Sequence, residues 1–244
     1  MLYLKSEKKT AGHSPPQWHQ LFDQLAISAK NASLKKYYQA GTVVPETPLA
    51  DLSLVALDIE TTGLNPGRDA IVSVGLVPFD LQRIYCNKAR YWVLHPEKPL
   101  TTGSVVIHGI THAEALVGHD LKQILPELLQ ALAGRVVVVH CRQIERRFLD
   151  VALKERIGEG IVFPAIDTME LDNRYVRRRF FQRIAQFFGR TPASIRLAAC
   201  RSRYHLPHYT PHHALIDALA TAELFQAQVA WHFSPQTCVR EVWH

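Results

Sequence analysis

The stretch from Leu52 to Leu64, L-S-L-V-A-L-D-I-E-T-T-G-L, decides how the rest of the chain is read. Its first half is aliphatic and β-prone, the composition of a buried strand. Its second half turns polar, and Thr61, Thr62 and Gly63 mark a turn that leaves backbone amides open. Alternation along the strand sends Asp58 and Glu60 to one face and Leu57 and Ile59 to the other. Two neighbouring carboxylates repel, so positive charge belongs between them, and a hard divalent cation such as Mg²⁺ supplies it through oxygen ligands. A bare D-x-E is most often a solvated strand end; D-I-E-T-T-G-L behind an apolar strand is far more specific.

Two further β-rich runs follow, 70–79 (AIVSVGLVPF) and 89–95 (ARYWVLH), separated by turn residues. Asp120 then caps an amphipathic helix with Leu121, Ile124, Leu125, Leu128, Leu129 and Leu132 on one stripe and Gly134 at its end. R-V-V-V-V-H, 135–140, is a strand apolar on both faces. A helix over 142–157, a short strand through 161–166 and helices over most of 168–230 complete the pattern. Three strands followed by alternating helix and strand give an α/β domain with a mixed sheet. Before the first strand, Trp18, Leu21, Phe22, Leu25 and Ala29 recur at helical steps, with Pro15 and Pro16 in the first turn and Gly41, Pro45 and Pro48 in the connection that follows. The expected organisation is a helical N-terminal extension and linker over 1–50, a domain over 51–232 and a C-terminal tail over 233–244.

The composition agrees. The chain has 244 residues, 47% of them hydrophobic and 20% charged, with 12 Gly and 14 Pro. That excludes disordered, collagen-like and low-complexity chains. Cys86, Cys141, Cys200 and Cys238 form no CxxC pair, which excludes zinc-ribbon and redox motifs and suits reduced thiols in a cytoplasmic protein. The N-terminal residues form no apolar signal region, and the Val136 to Val139 run is too short for a membrane span, so no membrane association is expected. The net charge is +6, with 28 Lys and Arg against 22 Asp and Glu. The excess is concentrated: residues 135–203 carry 15 Lys and Arg against 7 Asp and Glu. There, Arg177, Arg178 and Arg179 lie beside Tyr175, Phe180 and Phe181, a mixture suited to phosphate contacts and base stacking along a single strand. Taken alone, the same mixture also describes a solvated helix face.

A second cluster lies far downstream, H-H-A-L-I-D-A-L-A-T over 212–221. On a continuous helix His212 and Asp217 would point about 140° apart. His212 therefore belongs before the first turn, reaching over the site, where a neutral imidazole can act as general base. The alanines let the helix backbone approach the sheet closely. His205, His208, His212 and His213 match no common structural zinc spacing. Asp167-Thr168 reads as a helix N-cap at the sheet edge.

D-I-E-T-T-G-L with the later H-x-A-x-x-D-A resembles the DnaQ-like 3′–5′ exonucleases of the DEDDh group, and Ile107-His108-Gly109-Ile110-Thr111 matches a segment these enzymes carry. The resemblance covers about residues 52–230. It implies a ribonuclease-H-like fold, a mixed five-stranded sheet flanked by helices, and hydrolysis of phosphodiester bonds from the 3′ end to nucleoside 5′-monophosphates with two divalent ions, Mg²⁺ or Mn²⁺. One motif departs from the family. Where H-N-A-x-F-D is usual, the chain reads His140-Cys141-Arg142-Gln143-Ile144-Glu145, so register puts Glu145 in place of an Asp, with Asp150 as the rival. The implied roles follow: Asp58, Glu60, Asp217 and Glu145 as metal ligands, and His212 as general base. Thr61, Thr62, Leu64, His108 and Ile110 would hold the terminal nucleotide; for His108 and Ile110, packing is an equal alternative. The implied partner is the 3′ end of single-stranded nucleic acid, DNA favoured over RNA, with polymerase or repair proteins as possible associates. An exoribonuclease or oligoribonuclease, and a catalytically weak nucleic-acid-binding module, stand as alternatives.

Overall fold

The computed structural model describes residues 17–96, 109–178 and 194–244. Five strands form one mixed sheet: β1 (Leu54–Thr61), β2 (Ile71–Phe79), β3 (Arg90–Val93), β4 (Val136–Val139) and β5 (Ala165–Asp167), in the order β3-β2-β1-β4-β5. β1 pairs antiparallel with β2 and parallel with β4; β2–β3 is antiparallel and β4–β5 parallel. The architecture is that expected from the alternating pattern. β1 is central because both its edges find partners and its apolar residues reach both faces. The four valines of β4 are 0% exposed, and burying each side chain contributes about 1.5–3 kcal/mol.

The helices are α1 (Trp18–Ser28), α2 (Ala32–Gln39), α3 (His112–Leu116), α4 (Leu121–Leu132), α5 (Arg142–Ile157), α6 (Thr168–Arg178), α7 (Leu197–Arg203) and α8 (Ala214–His232). α4 follows its sequence signal closely: Asp120 accepts from the Lys122 amide, Gln123 completes a capping box, and the whole leucine–isoleucine stripe is buried. Among the described residues no helix is long and apolar enough to cross a membrane.

Three segments differ from expectation. The connection after α1 contains a second helix, α2, whose N-cap Asn31 accepts from Ser33 and Leu34. α1 and α2 pack together through Phe22, Tyr37 and Tyr38 and join the main core. The strand expected over 161–166 begins only at Ala165. The Val162 amide is taken by the Tyr38 hydroxyl, and Pro164 has no N–H, so neither can enter the ladder. The last twelve residues are paired: Ala165 and His244 exchange backbone hydrogen bonds, Ile166 bridges Trp243, and Leu49 and Ala50 donate to Thr237 and Pro235. This pairing covers the outer edge of β5, an exposed row of amides and carbonyls otherwise. Pro15 and Pro16 lie outside the described residues.

Candidate active site

Asp58 and Glu60 stand at the carboxyl end of β1, where the parallel neighbour β4 also ends. The ladder with β2 slips between Glu60 and Thr61, so the strand kinks just past Glu60. The chain then folds on itself. Thr61 Oγ1 donates to the Gly63 carbonyl at 2.6 Å, and Asp69 accepts from the Asn65 amide at 2.8 Å. The Asp69 carboxylate fills the space a Cβ would need at Gly63. Leu64 is thereby left 52% exposed at the rim. The Thr62 amide, expected to be open, donates to the Ala70 carbonyl, and Thr62 Oγ1 accepts from Ala70 in return. A ligand cannot use that N–H.

Asp217 arrives from α8. Gly75 of β2 lies opposite Asp58 in the ladder, and a Cβ built on Gly75 would overlap the backbone carbonyl of Ala214. The first turn of α8 therefore rests on the sheet backbone itself, which brings Asp217 over Asp58 and Glu60. His213 is the residue preceding the helix, and His212 lies before it with a left-handed φ of 70°. The His212 amide donates to Asp217 Oδ2 at 2.7 Å. This reversal turns the exposed His212 side chain back toward the carboxylates. One ligand atom from each of Glu60, His212 and Asp217 lies within 4.8 Å of the others. His205, His208 and His213 do not join this group; His213 stacks on Tyr91 with ring centroids 4.5 Å apart.

Glu145 enters from the first turn of α5. It is 4% exposed, and its Oε2 has no hydrogen-bond donor among the described residues. Its charge reaches Asp58 and raises that carboxyl's pKa. Asp150, the rival acid, faces elsewhere: it pairs with Lys154 at 2.7 Å and lies against Gly160. Cys141, which stands where Asn is usual, is buried, and burial together with Glu145 and Asp167 pushes its thiol up to about 12.

The electrostatics of these acids are uniform in direction. Burial, then Glu60, Glu145 and Asp217, hold the Asp58 carboxyl well above the usual range. Burial and Asp217 push Glu60 up to about 7. Burial raises Glu145 strongly and Asp217 as well, the latter against the lowering effect of the His212 amide. Among the described residues no Lys or Arg forms an ion pair with any of the four. A buried carboxylate oxygen without a donor and four acids that penalise one another's charge are the donor set a divalent cation requires.

His108 lies outside the described residues. Ile110 is 6% exposed and packs with Val72, Ala115 and Val93, so its side chain is engaged in packing. Of the basic–aromatic run, Tyr175 stacks face to face on His232 at 3.8 Å, tying α6 to α8; residues 179–181 lie outside the described residues. Much of the remaining basic excess is consumed internally, as Arg142 pairs with Asp167 and Glu170, Arg174 with Glu170, Arg201 with Glu223 and Arg203 with Asp172. Sequence reasoning missed Gly75. An isolated Gly inside an apolar strand was its signal, the usual mark of close backbone approach.

With this geometry in view, comparisons with known proteins are informative. A protein-family model described as Exonuclease matches residues 55–225. The chain is 28% identical over 180 residues to a DNA polymerase III PolC-type of Thermotoga maritima, covering 74% of this chain and 12% of that protein. It is 30% identical over 187 residues to a DNA polymerase III subunit epsilon-like protein of Rhodobacter capsulatus, covering 75% of this chain and 25% of that protein. The chain thus spans a quarter or less of these curated relatives. Among solved structures, the nuclease domain of 3′hExo, a DEDDh family member bound to rAMP, superposes with a TM-score of 0.59 at 14% identity, covering 74% of this chain and 92% of that one. That likeness is one of fold.

Proposed function

Because this chain belongs to the exonuclease family, we propose that it removes nucleotides from the 3′ end of single-stranded DNA, releasing nucleoside 5′-monophosphates, with two divalent ions, Mg²⁺ or Mn²⁺. The observation that carries this reading is the convergence of Asp58, Glu60, Glu145 and Asp217 under the reversed His212. DNA is favoured over RNA because the sequence relatives are DNA polymerase III proteins.

Asp58, Glu60 and Asp217 would hold one ion, with Asp58 shared and Glu145 supporting the second. Bound there, the ions would lower the pKa of a water and neutralise charge developing on the attacking and leaving oxygens. His212 would take the proton of the attacking water through its ring nitrogen, which its exposed position leaves accessible to solvent. The backbone of Thr61 and Thr62, apart from the committed Thr62 amide, and the exposed Leu64 would seat the terminal nucleotide. Glu145, one methylene longer than an Asp, would reach the second ion from the first turn of α5.

The test is a gel series with 5′-labelled single-stranded DNA and RNA, each with Mg²⁺ or Mn²⁺, and Asp58→Ala in parallel. The expected result is stepwise shortening from the 3′ end by the native protein only, faster on DNA. Faster shortening of RNA would move the substrate to RNA with the chemistry intact. Binding of both polymers without shortening would overturn the enzymatic reading.

A further inference from the structure

The loop that carries His212 is held by a second set of residues remote from the acids. It runs from the end of α7 to the start of α8, and it contains the two non-glycine residues with left-handed φ among the described residues, His205 at 56° and His212 at 70°. Such backbone is strained and persists only where the surroundings over-determine it. At the His212 end, the constraint is the amide bond to Asp217. At the other end it is Arg201. Arg201 is 3% exposed. It donates to the Pro207 carbonyl in the loop at 2.9 Å, to the Ala220 carbonyl in α8 at 2.6 Å, and pairs with Glu223 of α8 at 2.6 Å. Its carbon lies 4.6 Å from the centroid of the Tyr209 ring, and the Tyr209 hydroxyl donates to the other oxygen of Glu223 at 2.9 Å. α7 is anchored in turn, since Arg203 pairs with the buried Asp172 of α6 and donates to the Ser194 carbonyl.

We propose that Arg201, Glu223 and Tyr209 form a clamp that positions His212 for proton transfer. Both ends of the loop are referenced to one helix: His212 through Asp217, and residues 207–209 through Glu223 and the Ala220 carbonyl. Between Tyr209 and His212 lie only Thr210 and Pro211, and the proline ring fixes its own φ. The segment between clamp and base is therefore short and stiff, and the imidazole inherits its position from Tyr209. A guanidinium is suited to the task because its planar fork serves two carbonyls and a carboxylate at once while its face lies on an aromatic ring; an ammonium cannot reproduce that set. These are positioning residues, outside the cluster of Glu60, His212 and Asp217.

The inference rests on His212 acting as the base, and a double-mutant cycle separates the two ideas. Tyr209→Phe, Arg201→Lys, His212→Ala and the combinations of each clamp variant with His212→Ala are compared by kcat and KM on single-stranded DNA at saturating Mn²⁺. Thermal melting is recorded for each. His212→Ala is expected to lower kcat by about 100-fold or more, the scale of general-base catalysis. Tyr209→Phe, which keeps the ring over Arg201, is expected to lower kcat roughly threefold, and Arg201→Lys roughly tenfold, with KM unchanged. In the His212→Ala background neither clamp substitution should lower kcat further. Additive losses, or losses in KM alone, would overturn the clamp and leave the base intact. Undiminished kcat in His212→Ala would remove the base itself and the clamp with it. Should Arg201→Lys fail to fold, Tyr209→Phe carries the cycle alone.

Discussion

Glu145 and Asp167 lie at the same depth, 4% and 2% exposed, and the charge of Asp167 helps raise the Glu145 carboxyl's pKa, yet their surroundings treat the two in opposite ways. Asp167 accepts from the amides of Met169, Glu170 and Arg142 and from the Arg142 guanidinium. It caps α6 and pins the start of α5. Glu145, three residues beyond Arg142, is left with one oxygen that no donor among the described residues reaches. The protein therefore has donors at hand and spends them on one acid only. A carboxylate that builds the fold is saturated, and one that awaits a cation is kept hungry. Asp58 and Glu60 share with Glu145 a pKa raised mainly by burial, and burial raises Asp217 too although it accepts from the His212 amide.

Substitution should separate the two classes by moving activity and stability in opposite senses. The largest effect is expected at Asp58. Asp58→Asn should lower kcat/KM by about 1,000-fold, the several kcal/mol that a metal's charge stabilisation supplies, while raising the melting temperature in EDTA because one member of a repelling set is gone. A lower melting temperature in EDTA would break the classification. Glu145→Gln should follow the same pattern with a loss of about 10- to 100-fold, the scale for weakened support of a metal site. Asp167→Asn should do the reverse: a stability loss of about 2 kcal/mol by urea unfolding, with the rate per folded molecule largely kept.

Proton and metal should compete for the same acids. In the folded protein Glu60 titrates at about 7 against an ordinary 4.5, so between these values the folded state holds a proton the unfolded state has released. The metal-free protein is thus most stable at the acid end of this window and loses stability as the pH rises through about 7. Under the proposed mechanism Mg²⁺ would bind the ionised acids, so the melting shift it causes should be large above pH 7 and vanish toward pH 5. Scanning fluorimetry with EDTA and with Mg²⁺ over this range reads both curves; a shift independent of pH would contradict the competition. The smallest effect is expected at Asp150, whose exposed pair with Lys154 predicts a change under about 0.5 kcal/mol for Asp150→Ala and unaltered activity.

The contrast also explains what could be read from the sequence. Asp58, Glu60 and Asp217 were legible because each sits in a contiguous motif whose strand or helix start fixes where the side chain goes. The same holds for α4, whose cap, stripe and terminal glycine agree with one another. Glu145 was legible in register but not in environment, since nothing local tells that its second oxygen lacks a donor. Asp167 was legible as a cap, whereas its bond to Arg142 spans 25 residues and depends on β4 and β5 lying side by side. α2 escaped because eight residues with only Leu34, Tyr37 and Tyr38 buried form too short a stripe. The pairing of residues 235–244 escaped because its partners at 45–50 and 165–166 are brought there by the whole fold.

The seat of Ala214 on Gly75 has a mechanical meaning. Most distances inside a protein pass through side chains, which hop between rotamers and yield under load. Here the spacing between the sheet and the helix that bears Asp217 is set at Gly75, the ladder partner of Asp58, by backbone resting on backbone. Such a stop has no side-chain rotamer to relax, so rotamer hops among the surrounding leucines and valines do not by themselves reset the spacing of helix and sheet. The sheet and helix act as the fixed jaws of a gauge, and its opening is fixed by the absence of one methyl group.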